Sequence, residues 1–374
     1  MTARSLGRAP GPGNMAGIER VASNVLRNVV KLRADETLTI ETWTHNLPDA
    51  NAFVAEARRI GAHPLVVYED EPTYWKTVKA VKPEVLGAFP KHEEALLKAS
   101  DAYVFLYGPA NETARQRIGP DGLRRLEAYN PEWYRVGKAA RVRYARLELG
   151  RVSEDRARYF GVSARAWRRE VLRGSSIHPP ALSRTANRLS RALRGNGNLR
   201  IQHPNGTDLR LRLRGREPVV DDGERCSRGG GFVHILPAGS MLLAIDEGVG
   251  EGTVRSNVRI HGPPGTPNGG RWTFSGGRLI AHHYQVGDRR FSEALAKAGA
   301  EGTRPGLIGF GLNPGIEDAP RCQDERLGTV LFSIGGNATE GGTNRSPWMS
   351  YLLLRDPTVS VDGRAVMVRG RITV

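Results

Sequence analysis

The stretch TLTIETWTHNLPDANAFVAEARRIGAHPLVVYED, residues 37–70, decides the architecture of the first half of the chain. TLTIETWT alternates polar and apolar side chains, the period of a strand. LPDANAFVAEARRIGA reads as a helix and stops at Gly61, a residue type that tolerates the left-handed turn closing a helix. HPLVVYED is a second strand. Upstream, GIERVASNVLRNVVKL is an amphipathic helix with Ile18, Val21, Val25, Leu26 and Val29 on one side. Downstream, PKHEEALLKASDAYVFLYGP, residues 90–109, repeats helix then strand. Such alternation predicts a parallel sheet covered by helices. Residues 16–190 are expected to form an α/β domain behind a disordered tail over residues 1–15. No Gly-x-Gly-x-x-Gly follows the first strand, so a dinucleotide-binding fold is not expected.

The texture changes after the helical bridge PPALSRTANRLSRALRGNG, residues 179–197. NLRIQHPNGTDLRLRLRGREP is two strands around the turn HPNGT. Further short strand-like runs follow, separated by glycine-rich turns, and only RRFSEALAKAGA, residues 289–300, looks helical. Residues 195–374 therefore read as a mainly β domain, a curved sheet or partial barrel. A length of 374 residues fits two domains. The fold class is an α/β N-terminal domain plus a mainly β C-terminal domain.

The formal charge is +16. Of the 55 basic residues eight are lysines and the other 47 arginines, spread from Arg4 to Arg371. A nucleic-acid binder concentrates charge on one face or element, so this spread does not point to nucleic acid. It fits a compositional bias with solvated arginines, or a cleft for an acidic peptide in the dense region Arg141–Arg216. Two cysteines, Cys226 and Cys322, make neither a disulfide framework nor a zinc site unaided. No apolar run approaches twenty residues, and MTARSLGRAPGPGNM has Pro and Gly where a signal peptide has its apolar core. A cytoplasmic protein without membrane contact is expected.

No HExxH occurs, and no two of the nine histidines are four residues apart. Ser240 in PAGSM is not a nucleophile elbow. Cys322 has acidic neighbours that raise a thiol pKa. Loops rich in glycine and asparagine stand out instead: GFGLNPGIEDAP with Asn313, SIGGNATEGGTNRSP with Asn337 and Asn344, and ILPAG. Such loops suit a peptide main chain. Arg345 has the rigid fork that clamps a carboxylate, and Trp348 and Tyr351 offer aromatic contact. Each equally suits a structural role, Trp348 in a core and Arg345 on the surface.

Five ordered landmarks carry a family resemblance: GTDLRLRLRGR, ILPAGSMLLAIDEGVGEGTV, GLIGFGLNPGI, LGTVLFSIGGN and GGTNRSPWMSYLLLRDPTVSVDG. Over roughly residues 18–374 the chain resembles the M29-type, aminopeptidase T-like metallopeptidases. The resemblance implies an α/β domain followed by a mainly β domain, two divalent metals, and removal of N-terminal residues from peptides. A divergent related group uses one iron to open a dihydroxypyridine ring. The implied ligands do not carry over. The two ligand glutamates fall on Ser240 and Leu307, a ligand histidine on Leu331, a tyrosine near Ala338, and a final His-x-Asp on Met349 and Tyr351. Leucine has no lone pair and a thioether is a poor ligand for hard divalent ions. No metal and no cofactor are expected, and family-type peptidase activity is not expected.

The expected function is therefore metal-free peptide binding in a retained cleft. The partner is a peptide, an acidic precursor peptide of a ribosomally made natural product being the specific candidate, with a modifying enzyme as a further partner and a homodimer as the assembly. Ser240, Asn313, Asn337, Asn344, Arg345, Trp348, Met349 and Tyr351 are the expected peptide contacts. One alternative is a repurposed enzyme that cyclises or rearranges a bound peptide without metal, with His234, Glu247 and Tyr351 as foremost candidates beside Asp246, Glu251 and Arg345. It requires a His or carboxylate within about 3.2 Å of another polar group in a closed pocket. The other alternative is a structural scaffold subunit.

Overall fold

The computed structural model describes residues 17–78, 80–225 and 233–374. The expected tail over residues 1–15 and Cys226 lie outside them.

Strands β1 (Thr37–Trp43), β2 (His63–Glu69), β3 (Ala102–Leu106) and β4 (Arg143–Leu147) form a parallel sheet in the order β2-β1-β3-β4. The first crossover helix is Leu47–Ile60, and Gly61 closes it at φ 92°. Leu38 and Ile40 of β1 are buried in the same apolar core as Val21, Val25 and Leu26 of the upstream amphipathic segment.

Strands β5 (Asn196–His203) and β6 (Thr207–Arg214) form the expected hairpin. In β6, Leu209, Leu211 and Leu213 are buried while Arg210, Arg212 and Arg214 are exposed, the strand period made visible. Strand β7 (Val219–Asp221) leads to β8 (Val233–Leu236), which pairs in parallel with β4. The first sheet thus takes its fifth strand from the second half of the chain.

Strand β9 (Ser240–Ala244) belongs to a second sheet, and β10 (Gly250–Arg255), β11 (Arg271–Ser275) and β12 (Arg278–His283) to a third. After helix Asp288–Gly302 come β13 (Pro305–Gly311), β14 (Thr329–Gly335) and β15 (Met349–Arg355). They complete a five-stranded sheet ordered β15-β14-β13-β9-β7. Strands β16 (Thr358–Val361), β17 (Arg364–Val368) and β18 (Arg371–Ile372) complete an eight-stranded antiparallel sheet. Every residue of β13 and β14 is buried, as expected of central strands covered on both faces.

Two glycines set the close approaches that shape the site. A Cβ at Gly311 would lie 2.0 Å from the Arg326 carbonyl oxygen, and one at Gly315 would lie 2.7 Å from the Gly174 backbone. Glycine lets the turn carrying Arg321–Glu325 press against β13.

Candidate binding cleft

Four neighbouring strands build one apolar wall. Gly309 of β13 stands between Leu242 of β9 and Leu331 of β14, and Leu331 is in register with Leu353 of β15. With no side chain at Gly309, the leucines close over the gap; a Cβ there would meet Leu242 at 2.8 Å and Leu331 at 3.1 Å. Leu307, Met349 and Tyr351 extend this wall around a cleft of about 290 Å³. Val258 packs with Leu331 and Leu353 from the loop after β10, with Ile260 beside it. Met349 and Tyr351 keep 45% and 38% of their surface, so they form the mouth rather than the floor.

The other end of the cleft is charged. Arg146, Glu148, Arg321, Asp324, Glu325 and His261 line it. Burial raises the pKa of Glu148, but the guanidiniums of Arg151, Arg321, Arg146 and Arg156 outweigh it and hold the carboxyl below its usual range. Arg146 lies over the Tyr107 ring at 4.3 Å and is 3.6 Å from Glu148, and its buried Nε has no hydrogen-bond partner. Arg321 holds a left-handed φ of 67°, uncommon for a side chain of its size. His261 Nε2 lies 3.2 Å from Asp318 Oδ2. That side chain is 4% exposed, and its Nδ1 is buried without a hydrogen-bond partner. Burial pushes the Asp318 pKa up, but bonds from His261, Gln323 and Arg355 bring it down to about 2. Burial also pushes the Cys322 thiol, in the cleft wall, well above its usual value.

The site residues expected from sequence separate into two groups. Met349 and Tyr351 reach the cleft, together with Leu307 and Leu331 from the implied ligand positions. The asparagines hold loops. Asn313 donates to the Gly174 and Ala238 carbonyls and accepts from Gly315 N. Asn337 donates to Glu247 and the Gly306 carbonyl, and Asn344 donates to the Glu301 carbonyl. All three are buried and none lines the cleft. Ser240 is half-buried on β9 and Ala338 is exposed in a short helical turn, both outside the cleft wall. Trp348 packs on the core beside Phe291, and Arg345 is exposed.

Of the acid–base candidates of the sequence, Tyr351 stands at the cleft mouth and His234, Glu247, Asp246 and Glu251 lie elsewhere. His234 alternates with Ile235 on β8, so Ile235 faces the cleft and His234 does not. Burial lowers its pKa. Glu247 accepts both arms of Arg216, the Asn337 amide and Thr343 N. Asp246 pairs with Arg214, and Glu251 accepts from Gly276 N. Sequence reading missed His261. Its one signal is its place beside the strand run EGTVRSNVRI, and the Asp318 partner is 57 residues away.

The two divalent ions implied by the resemblance do not fit these residues. The wall offers four leucines, a thioether and one phenol, and no group of three or more His, Cys, Asp or Glu that could hold a metal ion occurs among the described residues. No helix among the described residues is long and apolar enough to cross a membrane.

No family model matches the sequence, and no curated protein aligns with it significantly. Among solved structures, wild-type AmpT from Thermus thermophilus superposes with a TM-score of 0.66 over 96% of this chain and 99% of that one, at 17% identity. The structure of 2,5-dihydroxypyridine dioxygenase from Pseudomonas putida KT2440 gives 0.58 over 96% and 98%, at 16% identity. At such identities the likeness is one of fold, and the chain has an aminopeptidase T-like fold.

Proposed function

We propose that the protein is a peptide-binding protein that uses an aminopeptidase T-like cleft without the family's metals. One observation carries this reading: Leu307, Leu331, Met349 and Tyr351, from three adjacent strands, turn four of the six implied ligand positions into an apolar wall. Such a wall takes up an apolar side chain, and the mixed charges at the far end take up polar groups of a main chain or terminus. The specific partner proposed is a precursor peptide encoded beside the gene, modified by a second enzyme. A homodimer in the cytoplasm is part of the same reading.

Purified protein tests this by metal analysis and by calorimetry with such precursor peptides. Substoichiometric zinc and iron with saturable peptide binding are expected. Stoichiometric metal together with release of N-terminal residues would overturn the reading.

A second reading has its own support. His261 and Asp318 meet at 3.2 Å at the cleft, the acid–base geometry that a repurposed enzyme requires. In this reading Asp318 orients the imidazole, which serves as the proton-exchanging group for the bound peptide. Mass change of a bound peptide, lost in His261→Gln with affinity retained, would favour it over binding alone.

A further inference from the structure

The loop after β10 separates two cavities. Ile260 lines the cleft on one side and a larger cavity, about 530 Å³, on the other. That volume falls within the range of small-molecule sites. The second cavity is bounded by residues 255–260, 262–266, 268–269 and 285–286. Its shape is held from within: Asn268 Oδ1 accepts from Ile260 N at 2.6 Å while Asn268 Nδ2 donates to the Ile260 carbonyl at 3.1 Å.

The charge of this cavity has one sign. Among the described residues, Arg255 and Arg259 are its only charged wall residues, and no carboxylate lines it. Neither guanidinium has an ion pair or hydrogen bond among the described residues. Arg255 also stands directly opposite Arg271 on β11, both exposed. Like charges directly opposed on one sheet face destabilise the pairing. The Arg200–Arg210 opposition elsewhere on this sheet differs, because Asp208 bonds Arg200 and Glu251 stands opposite Arg210. The rest of the cavity includes the apolar Val258, Pro263, Pro264 and Val286.

We propose that this cavity binds a small organic oxyanion, a phosphate or carboxylate on an apolar body. Its charge pairs with Arg255 and Arg259, with Arg271 adding to the field, and its body lies against the two prolines and Val286. Guanidinium forks match both oxyanions in bidentate fashion. The site is independent of the peptide reading, since it shares only the Ile260 wall with the cleft.

Calorimetry on the full chain with phenyl phosphate, benzoate, inorganic phosphate and phenol tests it. Phenyl phosphate or benzoate is expected to bind, and the tighter of the two names the oxyanion. Arg255→Ser/Arg259→Ser is expected to weaken that binding about tenfold or more. Arg278→Ser, which removes an exposed arginine of the same sheet outside the cavity, leaves it within about twofold. Arg271→Ser weakens binding without lowering the melting temperature, because it removes a like-charge contact. No binding of either aromatic anion by about 10 mM overturns the proposal. So does phenol binding as tightly as phenyl phosphate, inorganic phosphate binding as tightly as both aromatic anions, or an equal loss in Arg278→Ser.

Discussion

Glu247 receives both arms of the Arg216 guanidinium, at 2.8 and 2.9 Å. The same carboxylate accepts Asn337 Nδ2 at 3.0 Å and Thr343 N at 2.8 Å, so it ties the segment after β9 to the connection between β14 and β15. Burial raises its pKa, but these donors outweigh burial and bring it down to about 2. A group whose folded pKa is depressed stabilises above its unfolded pKa, near 4.3, and loses that contribution as pH falls through the folded value. Glu247→Gln should therefore cost about 2–3 kcal/mol at pH 7 and much less at pH 2. Urea unfolding at the two pH values checks this.

Glu41 predicts the opposite trend. Burial raises its pKa to about 7, against the lowering effect of the Tyr103 hydroxyl, which donates to it at 2.5 Å. Between the unfolded pKa and 7 the folded state binds more protons, so stability falls as pH rises through that window. Glu41→Gln should flatten this limb, and the difference between wild type and variant should change by about 3 kcal/mol from pH 4 to pH 8. Denaturant midpoints across that range give the comparison.

The cleft wall separates stability from binding. Leu331 is buried, so Leu331→Ala should cost about 2–3 kcal/mol as well as weaken peptide binding. Met349 is 45% exposed at the mouth, so Met349→Ala should cost less than about 1 kcal/mol while still weakening binding. Equal peptide affinity in Met349→Ala and wild type, by calorimetry, would count against the cleft as the binding site.

Gly311→Ala should be severe. Its Cβ would sit 2.0 Å from a backbone oxygen that cannot swing aside, at a cost of about 3 kcal/mol or more. Gly341 has φ 84° but open space around a Cβ, so Gly341→Ala should cost only about 1 kcal/mol. Thermal melts of the two variants test the ranking.

Much of the fold was legible because its signals are local. The β6 alternation, the helix stop at Gly61 and the apolar residues Val330, Leu331 and Phe332 of β14 each declare their element within a few residues. The family resemblance placed Leu307, Leu331, Met349 and Tyr351 in corresponding positions, and the structure brings all four to one cleft. Asn313, Asn337 and Asn344 read from sequence as ligand-gripping amides. Their partners are backbone groups up to 139 residues away and, for Asn337, also the Glu247 carboxylate, distances no local pattern encodes.

By itself, the sequence determined many of the strands and helices and which face of each is apolar. The periods of 2 and 3.6 residues and the chemistry of a side chain are properties of the chain alone. Tertiary structure decided which strands become neighbours: β8 joining the parallel sheet, Leu242 meeting Leu331 across Gly309, His261 finding Asp318, Glu247 withdrawn into an ion pair. Each of these pairings joins segments far apart in the chain, and the geometry that sets it is absent from either segment read alone.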